Sequence, residues 1–262
     1  MNILDEILAY KKEQLKKLKK TVPFLNFIKA LDSQSPNPRF EAKLRETGVH
    51  LIAEVKKASP SAGVIREDFD AKRVAAAYEK GCADCLSVLT EDRFFKGSIS
   101  YLNAIASMSA LPLLRKDFII DEYQIYESKC HGADAVLLIA ARLKDNDLNE
   151  LLKAASDVGL DALVEVHTPD ELKRALDSNA AIIGINSRDL QTLKIDLSVL
   201  KELLPSIPSE KLVVCESGIK SVGDLDFVRK FRVNAVLVGE ALMRAKDIAS
   251  ATHEFVDYLK RS

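Results

Sequence analysis

The chain has 262 residues, 47% of them hydrophobic and 29% charged, enough to bury the core of one large α/β domain or two small ones. Its 38 basic and 39 acidic side chains leave a formal net charge of -1, which excludes the broad basic field of a nucleic-acid binder. No apolar run approaches bilayer-spanning length and the N-terminus lacks a signal-peptide pattern, so we expect a cytoplasmic protein with no membrane or nucleic-acid partner.

Met1 to Lys20 reads as a helix. Ile3, Leu4, Ile7, Leu8, Leu15 and Leu18 form its apolar stripe, with Lys11, Lys12, Lys16, Lys17, Lys19 and Lys20 beside it. Asp5, Glu6 and Glu13 interleave with those lysines, so the expectation is a solvated basic face over a helix packed on the protein body, not a membrane-surface helix. Pro23, Pro36 and Pro38 punctuate a short segment around Phe24 to Leu31, and Arg39 to Glu46 forms a further helix before the first strand.

The stretch from His50 to Gly63 then joins an apolar run to a Ser-Pro-Ser-Ala-Gly loop. Glu54 and Lys56, two apart, share one face of that strand. A carboxylate and an ammonium on an inner strand face form either a structural ion pair or part of a site.

Seven more strand-like runs follow, starting near Asp84, Pro112, Asp134, Asp161, Ala181, Leu212 and Ala235. Each is short and almost continuously apolar, as in a parallel sheet covered on both faces. Helical patterns separate them at Ala71–Lys80, Ser98–Ser107, Glu122–Cys130, Asp145–Val158, Pro169–Asp177, Leu197–Leu204 and Ser221–Phe231, and Ala249–Lys260 closes the series. Gly81, Gly132 and Gly159 stand where helix C-caps belong. Eight βα units in this length predict a (β/α)8 TIM barrel with an N-terminal helical extension, one domain with the extension over 1–46 and the barrel over 47–262. An open doubly wound sheet uses the same units, but no Gly-rich dinucleotide fingerprint accompanies them.

Among four cysteines, Cys82 and Cys85 form a C-x-x-C. It has no second pair and precedes a strand, not a helix, so it reads as buried thiols in a reducing compartment.

In a barrel, chemistry sits where strands end and βα loops begin. Those positions hold Glu54, Lys56, Ser59, the run Thr90-Glu91-Asp92, Lys116, Asp117, Glu165, Asn186, Glu216 and Gly239. Glu54, Lys56, Lys116, Glu165 and Asn186 are embedded in or directly follow apolar strands, the setting that tunes acids and bases toward neutral pH. Burial moves lysine pKa values down and carboxylate values up, and mutual pairing opposes both. After the seventh and eighth strands come Glu216-Ser217-Gly218 and Gly239-Glu240, a glycine-bearing pair of turns of the kind that offers backbone N–H groups to a phosphate. Ser59 is within reach of the same region.

These motifs resemble one family, indole-3-glycerol phosphate synthase, over nearly the whole chain: IAEVKKASPSAG (52–63), SVLTEDRFFKGS (87–98), LLRKDFIIDEYQIYES (113–128), ALVEVH (162–167), GINSRDLQTL (184–193), CESGI (215–219) and VGEALM (238–243). The resemblance implies ring closure of a carboxyphenylamino-deoxyribulose phosphate with loss of carbon dioxide and water, with neither metal nor organic cofactor. It implies that Lys116 protonates the ketone oxygen, Lys56 holds the anthranilate carboxylate, Glu54 places Lys56, and Glu165 acts in the dehydration. Asn186 would bind substrate hydroxyls and Arg188 would brace its loop. Phe95, Phe118 and Leu190 would wall the aromatic ring, and Ser217, Gly218, Gly239 and Glu240 would cradle the phosphate, with the Glu240 side chain turned away from it. The expected partner is a small phosphorylated molecule, met by a monomer. Two readings compete: a sugar-phosphate isomerase barrel, which does not explain Glu54, Lys56 and the Ser-Pro-Ser loop together, and a silent barrel kept for binding, whose signature would be loss of key polar groups, whereas Glu54, Lys56, Lys116, Glu165 and Asn186 are all present.

Overall fold

The computed structural model describes residues 3–31, 39–189 and 194–261. Leu190, Pro36 and Pro38, which carry expectations above, lie outside them.

Each predicted apolar run forms a strand: β1 His50–Val55, β2 Cys85–Leu89, β3 Leu113–Lys116, β4 Ala135–Ile139, β5 Asp161–Val166, β6 Ile182–Asn186, β7 Leu212–Glu216 and β8 Ala235–Val238. Every residue of β1, β2, β4, β6, β7 and β8 is buried, which is why their sequences carry no polar alternation. All eight are parallel, and β8 pairs back onto β1, closing the barrel and excluding the open sheet.

Among the described residues twelve α-helices accompany them. Helices α1 Ile3–Thr21, α2 Phe24–Leu31 and α3 Phe40–Leu44 precede β1; α4 Ala71–Lys80, α5 Ile99–Ala106, α6 Glu122–Cys130, α7 Asp145–Asp157 and α8 Pro169–Asp177 fall where predicted. The expected helix over 197–204 is α9 Val199–Leu203, passing into a 3₁₀ turn at Leu204–Ser206, where Pro205 has no N–H to extend the helical ladder. The one expected over 221–231 is a 3₁₀ turn, Val222–Asp224, and a single turn α10 Leu225–Val228. Asp224 turns back to accept the N–H groups of Lys220 and Ser221 there. Helices α11 Glu240–Arg244 and α12 Ile248–Lys260 complete the wall.

Gly132 and Gly159 adopt the left-handed conformation expected after a helix, at φ 84° and 66°. Gly81 does not, with φ -78°; Cys82 takes the left-handed position instead. Gly81 is small because α12 crosses it: a Cβ there would lie 2.5 Å from the Thr252 Cβ.

The extension holds both ends of the barrel. Phe40 and Leu44 of α3, fully buried, pack into the barrel's interior cluster, and Arg39 and the Glu41 N–H reach Asp134 and Asp161, which precede and open β4 and β5. At the other end Leu4 and Ile7 of α1 pack into the same interior cluster, so the helix covers the C-terminal mouth. The lysine face expected on α1 is only partly solvated, because Lys11 is 2% exposed and ion-paired with Asp117.

Strand alternation fills the interior in layers contributed by alternate strands. Glu54, Lys116, Glu165 and Glu216 come from β1, β3, β5 and β7 and form one layer. Leu89, Ile139 and Asn186 meet Lys116, Glu165 and Glu216 in register from the layer above. Ser87, Gly184 and Leu237 meet Glu54, Glu165 and Glu216 from the layer below. Beneath these the interior is apolar, including Ile52, Leu114, Leu163 and Val214. The charged layer is therefore the floor of the mouth.

Candidate active site

Above that floor lies a cavity of about 440 Å³, within the range of small-molecule sites. Ile3, Leu4 and Ile7 of α1 close one side of it. Thirteen of the fourteen residues singled out from the sequence line it: Glu54, Lys56, Ser59, Phe95, Lys116, Phe118, Glu165, Asn186, Arg188, Ser217, Gly218, Gly239 and Glu240. Leu190 is the fourteenth, outside the described residues.

On the floor, Lys116 Nζ donates to Glu216 Oε2 at 2.7 Å and to Glu165 Oε2 at 3.4 Å. Burial alone pulls the Lys116 pKa down, but the facing Glu216, Glu165 and Glu54 carboxylates outweigh it, so the pKa is raised and the side chain is a fixed cation. Burial, reinforced by Glu165 and Glu54, outweighs the pull of Lys116 on Glu216 and pushes its carboxyl up to about 7. One oxygen on each of Glu165 and Glu216, Oε1, is buried and accepts no hydrogen bond from the described residues. Higher up, the Lys56 ammonium pairs with the Glu54 carboxylate, and Glu54 is anchored from behind by Tyr78 of α4, whose hydroxyl donates to the Glu54 carbonyl at 3.0 Å.

The wall is positioned by buried polar groups. Glu91 is fully buried and accepts the N–H groups of Arg93, Phe94 and Phe95 at 2.7 to 3.1 Å, which sets the Phe95 ring 6.3 Å from that of Phe118. Asn186 Oδ1 accepts the Arg188 N–H at 2.9 Å, and its carbonyl accepts His167 Nδ1 at 2.7 Å. Because a carbonyl only accepts, Nδ1 carries the proton. Arg188 Nη1 reaches Ser61 Oγ at 3.4 Å, linking the turns after β6 and β1 across the mouth.

On the far rim Ser217 and Gly218 are both left-handed, at φ 65° and 88°. Such a conformation is uncommon for serine, and both residues line the cavity. Gly239 and Glu240 at the start of α11 face the same cavity, and Glu240 turns its carboxylate onto Arg244 Nε at 2.9 Å, one turn along the helix.

The sequence reading assigned Glu216 to the phosphate loop and gave it no role of its own. It sits instead on the floor against Lys116. The signal was present: Val214 and Glu216 share the inner face of their strand as Ile52 and Glu54 do on theirs. Cys85 faces the barrel interior, its thiol pKa raised by burial, while Cys82 is exposed in the preceding turn.

A closed parallel barrel with a charged layer under an apolar, glycine-rimmed mouth is the construction of a barrel enzyme whose chemistry lies at the strand C-termini. Solved structures share that architecture at low identity. They include 3-hexulose-6-phosphate synthase from Salmonella typhimurium (TM-score 0.66, 15% identity, 80% of this chain and 98% of that one) and thiamine phosphate pyrophosphorylase from Pyrococcus furiosus (0.63, 17%, 81% and 96%). The chain belongs to the indole-3-glycerol phosphate synthase family: the family's model matches residues 4–255. Relatives bearing that name are 49% identical in Alkaliphilus metalliredigens, over 96% of this chain and 97% of the relative, and 47% identical in Acetivibrio thermocellus, over 97% and 98%.

Proposed function

We propose that this protein, an indole-3-glycerol phosphate synthase by family, converts 1-(2-carboxyphenylamino)-1-deoxyribulose 5-phosphate to indole-3-glycerol phosphate, releasing carbon dioxide and water in the course of tryptophan biosynthesis. The observation that carries the residue assignment is the placement of the Lys116 cation between Glu216 and Glu165, at the floor of a cavity walled by Phe95 and Phe118 and rimmed by Ser217, Gly218 and Gly239.

In this reading the ring carbon bearing the carboxylate attacks the ribulose ketone. The C–O π pair moves to oxygen, and Lys116 supplies the proton that makes it a hydroxyl; a cation held there also stabilises the developing negative charge. Breaking the bond to the carboxylate carbon releases carbon dioxide and returns its electron pair to the ring. Lys56 holds that carboxylate until it leaves, and Glu54 keeps the ammonium aimed inward. Glu165, next to Lys116, protonates the hydroxyl so that it leaves as water and, as the carboxylate, takes a proton from the adjacent methylene carbon, whose C–H electron pair becomes the ring double bond; Glu216 passes a proton to Lys116 through their shared hydrogen bond and restores its cationic form. Asn186 binds the ribulose hydroxyls, Ser59 and Arg188 hold the mouth loops, and the aromatic wall with α1 excludes water. Ser217, Gly218, Gly239 and the Glu240 backbone bind the phosphate. The enzyme is read as a monomer in which barrel 47–262 and extension 1–46 act as one domain.

The test is to add the substrate to purified protein with EDTA present and follow indole fluorescence, beside Lys116→Met. Turnover in the wild type and its loss in the variant support the reading; a folded wild type that produces no fluorescence overturns it.

A further inference from the structure

Gly184 lies mid-strand in β6 with a φ outside the left-handed region, so its backbone conformation does not require glycine. A glycine within a strand weakens it and marks a place where another group comes close. Here the group is identifiable. A Cβ at Gly184 would lie 2.1 Å from Glu216 Oε1 and 3.2 Å from both Glu216 Cδ and Leu163 Cδ1. A flexible carboxylate on a surface would swing aside, but Glu216 is 1% exposed and its other oxygen holds Lys116 at 2.7 Å. Asn186 and Leu237 stand beside it in register on the two flanking strands. The same device recurs two strands on: a Cβ at Gly239 would lie 2.2 Å from Glu54 Oε2. Two of the three carboxylates in the charged layer thus occupy notches left by a missing side chain, Gly184 on the neighbouring strand β6 and Gly239 just past the end of β8.

We propose that Gly184 is a positioning residue for the ring-closure reaction: its missing side chain is the slot that seats the Glu216 carboxylate, and through it the Lys116 ammonium, under the substrate. This rests on the assignment of Lys116 as the acid. Gly184 touches no substrate atom; it acts through Glu216. Replacing it by alanine in an ordinary strand at ordinary φ stabilises a protein modestly, by restricting the unfolded chain. At this position the added methyl displaces the carboxylate.

The experiment compares wild type with Gly184→Ala, Glu216→Asp and the double variant, reading kcat and KM separately, with a crystal structure of Gly184→Ala. We expect Gly184→Ala to lower kcat about 100-fold, the scale of losing one preorganised electrostatic group, with KM within about threefold. Aspartate is one methylene shorter, so the double variant should regain about tenfold in kcat over Gly184→Ala, although it carries two changes. A kcat within about threefold of wild type in Gly184→Ala, or a double variant no faster than Gly184→Ala, overturns the proposal. Should wild type itself not turn over, the acid assignment fails, and the crystal structure still decides the slot: Glu216 moved off Lys116 supports it, an unmoved pair overturns it. If Gly184→Ala does not fold, Gly184→Ala/Glu216→Ala, which removes the obstructing atoms, must fold; its failure to do so places the obstruction elsewhere.

Discussion

Lys11 of the N-terminal helix and Asp117, the residue next to Lys116, form an ion pair at 2.9 Å with both side chains almost completely buried. Asp117 also accepts from Thr90 Oγ1 at 2.6 Å, Arg115 Nη2 at 3.2 Å and the Phe118 N–H at 2.8 Å. The extension is thereby tied to the strand end that carries the proposed acid. Breaking one side of a buried pair leaves an uncompensated charge, so Lys11→Met should destabilise the protein by about 3 kcal/mol, the lower end of that class because Arg115 remains beside Asp117. The pH dependence is specific. Burial pushes the Asp117 carboxyl up, but Lys11, Arg115 and the Thr90 hydroxyl more than offset this and hold it at about 2, below the usual 3.8. A depressed carboxyl contributes stability that is present above 3.8 and lost as pH falls through about 2. Without Lys11 that loss should begin at higher pH. Urea melts of both proteins between acid and neutral pH measure it; equal midpoints at neutral pH refute the coupling.

Glu216 offers a second pH test. Its charge is among the causes that raise Lys116, so Glu216→Gln should lower the Lys116 pKa. Wild type keeps Lys116 charged through the alkaline range, so an alkaline fall in kcat/KM that belongs to the acid should lie at lower pH in the variant than in wild type. An alkaline limb that does not move would assign it to another group. The same substitution acts on stability with the opposite sign to Asp117. Glu216, raised to about 7 from 4.5, contributes stability that is fully present below 4.5 and lost as pH rises through about 7. The amide has no such titration.

Much of this was legible in the sequence, for physical reasons. A parallel strand buried on both faces reads as an apolar run, so β1 to β8 announced themselves, and charges interrupting such runs at Glu54, Lys116 and Glu165 pointed to the floor of the mouth. Lys11 was misread because helical spacing places it with surface lysines; only the tertiary position of Asp117, 106 residues later by number (117 less 11), makes burial tolerable. Gly184 and Gly81 give no one-dimensional signal, since a missing Cβ matters only against the atom that comes to fill its place. Glu216 was seen but absorbed into the glycine turn that follows it.

Glu240 stands beside the proposed phosphate cradle, yet its carboxylate is engaged by Arg244 and the pair is partly exposed. The expected consequence is that Glu240→Ala leaves substrate KM less than about tenfold changed, that is, within about 1.4 kcal/mol. Releasing Arg244, which also lines the cavity, favours a lower KM over a higher one. Steady-state kinetics at fixed ionic strength decide the matter; a tenfold rise would mean that the carboxylate itself holds substrate.

The two ends of the barrel should separate stability from activity, because chemistry belongs to the C-terminal mouth. At the opposite end Arg39 grips both oxygens of Asp134, through Nε at 2.8 Å and Nη2 at 2.9 Å, and its Nη1 reaches the Ala110 carbonyl at 3.0 Å. Asp134 in turn accepts the Leu113 N–H that opens β3. Arg39 is substantially exposed, so solvent screens the pair and Arg39→Met should cost about 1 kcal/mol. Both kcat and KM should stay at wild-type values below the melting range, in contrast to Lys11→Met at the mouth. If Arg39→Met lowers kcat as far as it lowers stability, the strand ends are coupled along the barrel's length and the separation of the two ends does not hold.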